Sequence, residues 1–555
     1  MPAATAHLDT FAAERLPPAD QLPEFLFDLP ELQYPERMNC AKPLLDDALS
    51  EGHADRIAVT GATEQWTYGE LAQRANQIAH VLVADCGVQP GNRVLLRGPN
   101  SPMLVAGWLA VMKVGGIAVT TMPMLRKVEL EKMVIKARIE HALCDARFTD
   151  ALIQVAGSTG RLQRCVNYGN GELESLMGKY PGSYGNCDTA RDDVALLAFT
   201  SGTTGEPKAT IHFHRDVLAM TDVVARHLLG TRPDDVYAGT PPLGFTFGLG
   251  ALLAFPLRFR AASALMESHS PEALLTQVER SGATCLFTAP TAYKAMLPLL
   301  SAARLDTLRQ CVSAGEHLPK STSDAWYEAT GIRIIDGLGS TEMIHMFIAA
   351  SGTAIRPGAT GKVLPGYRAC ILDDSGKALS PGAAGRLAVK GPTGCRYLDD
   401  PRQQSYVQNG WNLTGDVYVM DEDGYFWFQS RTDDMIISAG YNISPVEVEL
   451  ALLQHPLVLE CAVVGAPDPD RGNIVKAYVV LRAPASDETG LVSALQEFVK
   501  HSIAPYKYPR SIEFITSLPR TATGKIQRYE LRQQAHRSFA ANRGTQVQAP
   551  PRYLD

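Results

Sequence analysis

Val194-Ala-Leu-Leu-Ala-Phe-Thr-Ser-Gly-Thr-Thr-Gly-Glu-Pro-Lys208 joins an unbroken apolar run to a loop of hydroxyls, glycines and one cation. The run from Val194 to Phe199 reads as a buried strand, of the kind found where a sheet is covered on both faces. In the loop, Gly202 and Gly205 allow backbone conformations closed to other residues. Thr200, Ser201, Thr203 and Thr204 supply hydroxyls, and freed backbone N–H groups can wrap phosphate oxygens. Lys208 adds a positive charge. A Gly-Thr-Thr-Gly fragment alone describes a surface turn equally well. In the whole string the hydroxyl, glycine and lysine positions agree, and they indicate a polyphosphate-binding loop. It is not a Walker loop: the spacing is G-x-x-G-x-x-K, Pro207 precedes the lysine, and no Ser or Thr follows it directly.

Outward from this strand, apolar runs such as Arg333 to Ile335 and Ala462 to Val464 alternate with helix-like stretches, which predicts α/β layers. Asp216 is placed to cap a helix in which Val217, Met220, Val223, Val224 and His227 recur at helical spacing and which Gly230 ends. The most apolar stretch, Met103 to Val119, is interrupted by Lys113 and Gly115-Gly116. It reads as a buried helix, a turn and a strand rather than a membrane span. Gly424 to Arg431 reads as a last strand, Thr432 to Asp434 as a polar break, and Met435 to Ser438 as a new strand. Ser444 and Pro445 then fit the cap and first position of a helix through Leu453. A chain of 555 residues exceeds one core. The expectation is a large multi-layer α/β N-terminal domain of sheets packed against helices (1–432), a junction at 433–434, a small α+β C-terminal domain (435–541) and a flexible polar tail (542–555).

Composition narrows the function. Apolar residues make up 45% and charged residues 20%, as in an ordinary globular enzyme, and the formal net charge of -7 speaks against a nucleic-acid binder. The ten cysteines form no CxxC pair or zinc spacing. They fit reduced core residues of a cytoplasmic protein. Met1 to Gln21 lack the apolar region of a secretory signal.

Three further strings stand beside the loop: Asp336-Gly-Leu-Gly-Ser-Thr-Glu342, Trp411-Asn-Leu-Thr-Gly-Asp416 and Pro519-Arg-Thr-Ala-Thr-Gly-Lys525. Together the four strings resemble the superfamily of adenylate-forming enzymes, which includes acyl- and aryl-CoA synthetases, stand-alone adenylation domains and luciferases. The resemblance runs from about Leu44 to Leu531. It implies ATP and Mg²⁺ as partners, with the nucleotide held by Thr200 to Gly205, Lys208, Glu316, Asp336, Gly337, Leu338, Gly339, Thr341, Asp416, Phe428, Arg431 and Lys525. Thr341 and Glu342 would meet the α-phosphate and magnesium, which takes hard oxygen ligands and few protein carboxylates. Asp416 would accept the ribose hydroxyls, and Lys525 would be catalytic, a cation stabilising charge that grows in the transition state. Ser430 stands where the family usually has glycine. The resemblance further implies that Asp433 is the hinge of a mobile C-terminal domain and that Ala439 and Gly440 let the pantetheine arm of coenzyme A pass. Many relatives are dimers, and a homodimer is the matching expectation here.

For the acid, the family pattern points to Phe245, Thr246, Phe247, Ala314, Gly315, Gly339, His345 and Met346. Two phenylalanines with Ala and Gly walls suit a flat ring, and His345 can bond the carboxylate or an ortho substituent. Phe245 and Phe247 also fit core positions alternating along a strand, and His345 a buried core histidine. The string from Asp336 to His345 looks like benzoate-CoA ligases. Met435 to Pro445 and Leu16-Pro-Pro-Ala-Asp20 look like 2-aminobenzoate-CoA ligases. The expected substrate is therefore anthranilate, with benzoate, salicylate and medium-chain acids as alternatives. A carrier protein is the alternative to free coenzyme A.

Overall fold

The structure, a computed structural model, describes residues 4–200, 206–268, 270–432, 434–438, 441–468, 471–484, 487–521 and 525–546. Val194–Thr200 lies in a sheet that has six strands among these residues. Their order is Arg164–Tyr168, His141–Asp145, Arg93–Arg97, Ile117–Thr121, Val194–Thr200 and Lys208–Phe213. The first five strands run parallel and the last antiparallel. Val194 to Ala198 are buried, which is why the strand carries no polar alternation.

A second sheet has nine described strands. Its parallel centre includes Val236–Gly239, Cys285–Thr288, Gln310–Ala314 and Ile334–Gly339, and Met346–Ala349 pairs antiparallel with the last of these. Helices cover both sheets. Tyr68–Ala84 starts at a reciprocal cap in which Thr67 accepts from the Glu70 N–H and Glu70 accepts from the Thr67 N–H. The stretch Met103 to Val119 is the helix Pro102–Lys113 followed by the strand Ile117–Thr121. Lys113 is fully buried because its ammonium bonds Asp46 at 2.5 Å and Asn186 at 3.1 Å.

Asp216 departs from its expected place. The helix is His214–Met220, and it continues in wider i→i+5 turns over Thr221–Leu228. Asp216 is thus its third residue, not its cap, and its carboxylate accepts the Phe213 N–H at 2.9 Å. His227 falls on the exposed side of the stripe.

Packing divides the chain into two compact units: 1–370 with 388–414 and 423–426, and 371–387 with 415–422 and 427–555. The grouping differs from a boundary at 432, and local bonds give the reason. Ser444 bonds the Gln429 carbonyl, and the Met435 N–H bonds the Arg431 carbonyl at 3.1 Å. The strand Phe426–Arg431 is thereby tied to residues 435–444. The helix Pro445–Leu453 begins as expected, with Ser444 accepting from the Glu447 N–H. In a three-stranded sheet, Gly472–Leu481 lies between Val458–Asp468 and Ser511–Phe514. A small core of Val448, Leu452, Val463, Val475 and Leu495 joins this sheet to its helices. The tail is shorter than expected: the helix Arg528–Gln546 runs through 542–546, and 547–555 lie outside the described residues. Among the described residues no helix is long and apolar enough to cross a membrane. The ten cysteines are free thiols, most of them buried.

Candidate active site

The strands on either side of the glycine loop in sequence are partners. Val194–Thr200 and Lys208–Phe213 pair antiparallel, with Thr200 opposite Lys208. Ser201, Gly202, Thr203, Thr204 and Gly205 lie outside the described residues. The segment 396–398 runs along the strand Lys208–Phe213. The Ile211 N–H donates to the Arg396 carbonyl at 2.7 Å, and the Leu398 N–H to the Ala209 carbonyl at 2.8 Å. Tyr397 is thereby set against Lys208, whose Nζ is 3.1 Å from the phenol oxygen and 5.0 Å from the ring centroid. The same hydroxyl donates to Glu342 Oε1 at 2.5 Å. Lysine, phenol and carboxylate form one relay. Burial first, and the Glu342 charge next, push the Tyr397 phenol far above its usual range, so it stays a donor.

Glu342 sits in the turn between the antiparallel strands Ile334–Gly339 and Met346–Ala349. His212 Nε2 lies 2.8 Å from the Thr341 carbonyl, and the Thr393 hydroxyl donates to the Met343 carbonyl at 2.8 Å. Ile344 is held at φ +63°, a conformation that a β-branched residue adopts only under constraint. The glycines of this motif are steric necessities. A Cβ on Gly337 would lie 2.3 Å from Met346 Sδ, and one on Gly339 would lie 2.8 Å from the His345 carbonyl.

Of the positions expected to line the acid, Ala314, Gly339 and Met346 lie on neighbouring strands. Ala314 pairs with Gly337, Gly339 pairs with Met346, and Gly315 follows at φ +92°. Phe245 and Phe247 do not alternate along a strand: Thr246–Leu249 is a helical turn that Phe245 precedes, and both rings are half-buried. Phe247 packs against Phe287 and His345, with centroids 5.9 and 5.7 Å apart. His345 is buried, edge-on to Phe255 at 4.7 Å, and its Nε2 lies 3.4 Å from the Phe247 carbonyl. Burial pushes its pKa down to about 3, so the ring is neutral at neutral pH. With Nε2 donating, Nδ1 is an acceptor, and it is buried without a hydrogen-bond partner. Asp336 lies on the strand Ile334–Gly339 with Gly337 and Leu338. Burial holds its carboxyl well above the usual range, while the Gly337 N–H pulls the other way. Glu316 is half-buried just beyond Gly315.

The remaining positions lie in the second compact unit. Asp416 is buried on the strand Trp411–Met420, and Arg431 on the paired strand Phe426–Arg431 bonds it at 2.8 Å. Phe428 packs edge-on to Tyr418 at 5.4 Å. Lys525 is exposed; the Thr521 N–H donates to its carbonyl at 2.8 Å, and its own N–H donates to the Thr521 hydroxyl at 3.1 Å. Asp433, Ala439 and Gly440 lie outside the described residues; the last two join Ile436–Ser438 to Tyr441–Ile443, with Ser438 opposite Tyr441.

The donor set suits magnesium carried with a nucleotide. Glu342 is a single buried carboxylate beside Lys208 and hydroxyls, and the described residues contain no cluster of three or more His, Cys, Asp or Glu able to cage a metal. Tyr397, Thr393 and His212 escaped the sequence reading. Tyr397 lies 55 residues from Glu342 and outside the four strings, so no spacing connects the two.

This strand pair, turn and buried carboxylate fit an enzyme that binds a nucleotide. The AMP-binding enzyme family matches residues 46–397, and the C-terminal domain family of AMP-binding enzymes matches 447–525. The chain belongs to these AMP-binding enzymes, the adenylate-forming superfamily that its motifs resemble. It is 34% identical over 512 residues to the benzoate–CoA ligase of Thauera aromatica, covering 91% of this chain and 97% of the relative. It is 32% identical over 532 residues to the mitochondrial acyl-coenzyme A synthetase ACSM3 of Mus musculus, covering 90% and 91%. Among solved structures, the anthranilate CoA ligase AuaEII in complex with anthranoyl-AMP superposes with a TM-score of 0.86 at 34% identity, covering 92% of this chain and all of that one.

Proposed function

We propose that the protein is an ATP-dependent aryl-CoA ligase that activates 2-aminobenzoate as its adenylate and then forms the coenzyme A thioester. The observation that carries the choice of acid is the buried, neutral His345 with an unpartnered Nδ1 acceptor. A carboxylate only accepts hydrogen bonds and gains nothing there, whereas an ortho donor on the ring, the amino group of 2-aminobenzoate or the hydroxyl of salicylate, can donate. Similarity to an anthranilate ligase favours the amino group. Similarity to an anthranilate ligase and a benzoate ligase supports the aryl reading.

The acid is ionised at neutral pH and needs no base. Its carboxylate oxygen attacks the α-phosphorus of ATP, the bond to the bridging oxygen breaks, and pyrophosphate leaves. Thr200 to Gly205, Lys208, Thr341 and Lys525 oppose the charge that grows on the phosphates. Magnesium, when bound, would neutralise phosphate charge at Glu342. Asp416 accepts the ribose hydroxyls, and Arg431 holds Asp416 and faces the nucleotide beside Phe428. Asp336 to Gly339 and Glu316 line the adenine, and Ala314, Gly315, Phe245, Thr246, Phe247 and Met346 line the ring of the acid. In the second step the C-terminal domain turns about Asp433, and the arm of coenzyme A passes Ala439 and Gly440. Its thiolate attacks the carbonyl carbon and AMP leaves. Free thiols suit a reducing compartment, the cytoplasm.

The test is ATP–pyrophosphate exchange with anthranilate, benzoate, salicylate and octanoate, followed by thioester detection with free coenzyme A. Anthranilate is expected to give the highest kcat/KM. A preference for octanoate over every aryl acid overturns the aryl reading, and adenylation without thioester on free coenzyme A turns the acceptor into a carrier protein.

A further inference from the structure

Behind the strands that flank the loop lies a polar network that the chemistry above leaves unused. His212, Asp216 and Arg396 are 0, 0 and 1% exposed. Arg396 Nη1 donates to Asp216 Oδ2 at 2.7 Å, and its guanidinium lies over the rings of Phe25 and Phe213 at 4.2 and 4.1 Å. His212 presents Nδ1 to the same carboxylate oxygen at 3.8 Å, too far for a hydrogen bond, and Nε2 to the Thr341 carbonyl at 2.8 Å. A carbonyl only accepts, so Nε2 carries the proton.

Stability alone is a poor account of such a network. Charges this deep lose their hydration, and well-packed apolar replacements of buried ion pairs are often no less stable. The address of its bonds is more telling. His212 shares a strand with Lys208, Arg396 directly precedes Tyr397, and the carbonyl that His212 grips directly precedes Glu342. One buried cluster therefore fixes all three members of the Lys208–Tyr397–Glu342 relay.

We propose that His212 is a positioning residue, which by clamping the Thr341 carbonyl holds the Glu342 carboxylate where magnesium and the phosphates of ATP meet it. The proposal rests on the reading of Glu342 as that carboxylate. His212 touches neither nucleotide nor acid, and a displaced clamp shifts Glu342 without altering the acid pocket.

The experiment compares His212→Leu, His212→Gln and His212→Asn. A glutamine side chain can bring an amide N–H to the position of Nε2, whereas asparagine is too short. Three quantities are read: the rate of ATP–pyrophosphate exchange at saturating anthranilate, the KM for the acid, and the affinity for Mn²⁺ measured by electron paramagnetic resonance with a non-hydrolysable ATP analogue. For Leu and Asn the expected result is an exchange rate about tenfold or more lower and Mn²⁺ binding about fivefold or more weaker, with an acid KM within about twofold of the parent. Gln recovers most of both losses. The proposal is overturned if the leucine variant keeps the parental rate and Mn²⁺ affinity, or if Gln is no better than Asn. The Gln–Asn comparison decides the matter even if the leucine variant does not fold. Glu342→Gln, measured in parallel, separates the two claims. Unchanged Mn²⁺ affinity there removes the reading of Glu342 itself, whereas loss there with none in the His212 variants removes only the positioning role.

Discussion

Tyr397 donates its phenolic hydrogen to Glu342 Oε1 across 2.5 Å, although the two residues lie 55 positions apart and only Glu342 belongs to one of the four sequence strings. Both are buried, so the bond is made where an unpaired carboxylate is costly. Tyr397→Phe keeps the ring, which packs edge-on to Tyr406 at 5.8 Å, and deletes only the donor. A hydrogen bond to a charged group is worth about 1.5–3 kcal/mol, which corresponds to about 10- to 150-fold in rate if it is felt in the transition state. ATP–pyrophosphate exchange should fall by that factor, and the thermal midpoint should fall with it because Glu342 loses a buried partner. An exchange rate equal to the parent's would show that the relay is packing rather than machinery.

His345 carries a prediction on specificity. His345→Leu fills much of the same space and removes the acceptor. A site that bonds a substrate donor discriminates against the analogue without it far better than a hydrophobic pocket does. The ratio of kcat/KM for anthranilate over benzoate should therefore drop by about tenfold or more. The fall should come from anthranilate, with benzoate unchanged or improved. An unaltered ratio would remove His345 from the choice of acid.

The same ring makes a prediction on stability against pH. Burial lowers its pKa to about 3, against the ordinary value of 6.5 that it regains on unfolding. Between those values the unfolded chain binds more protons than the folded one, so this group makes stability rise with pH and fall as pH drops below 6.5. The slope for one such group approaches about 1.4 kcal/mol per pH unit in the middle of the window. His214, buried against Cys40 and likewise pushed to about 3, adds a slope of the same sign. Urea unfolding at pH 7, 6 and 5 should show a shallower loss for His345→Leu than for the parent. Parallel curves would mean that the imidazole is not neutral in the folded chain.

Much of the layout was legible because periodicity and caps act locally. The strand from Val194 and the helix opened by Ser444 and Pro445 each follow from a few adjacent residues. The misreadings have separate physical causes, a distant partner for Asp216 and a close local approach for Phe245 and Phe247. Asp216 has the chemistry of a cap, but a buried arginine 180 positions away shares its carboxylate, and it sits inside the helix. Phe245 and Phe247 alternate as they would on a strand, yet Gly248 lets the segment turn in helically against Pro242, where a Cβ would come within 2.1 Å of a carbonyl oxygen. Tyr397 and His212 act through bonds to Glu342 and Thr341 that no spacing rule connects.

Asp416 and Arg431 test the ribose end of the site. Their 2.8 Å pair has an arginine side chain 47% exposed, so its contribution to stability is screened and small, about 1 kcal/mol or less. Asp416→Asn should unfold close to the parent's midpoint. If Asp416 accepts the ribose hydroxyls as proposed, the same change weakens that acceptor, and the KM for ATP should rise by about tenfold or more with the KM for acid little altered. A rise confined to the acid would place Asp416 elsewhere in the reaction.

Lys525 and Asp433 separate the two half-reactions. Lys525 is exposed, and its backbone N–H and carbonyl both bond Thr521. For Lys525→Ala, a thermal midpoint equal to the parent's shows that a loss of activity reports chemistry rather than folding. If the ammonium stabilises charge only while pyrophosphate departs, adenylate formation should fall by about a hundredfold or more. Thioester formation from supplied anthranoyl-adenylate should stay within a few-fold of the parent. Asp433→Pro makes the opposite prediction. Proline fixes φ and stiffens the backbone at the proposed pivot, which should spare pyrophosphate exchange and slow thioester formation from the supplied adenylate. The two variants are to be measured on both steps by single turnover. Equal losses on both steps in Asp433→Pro would remove the pivot from that position, and equal losses in Lys525→Ala would mean that the lysine serves binding common to both steps rather than the first transition state.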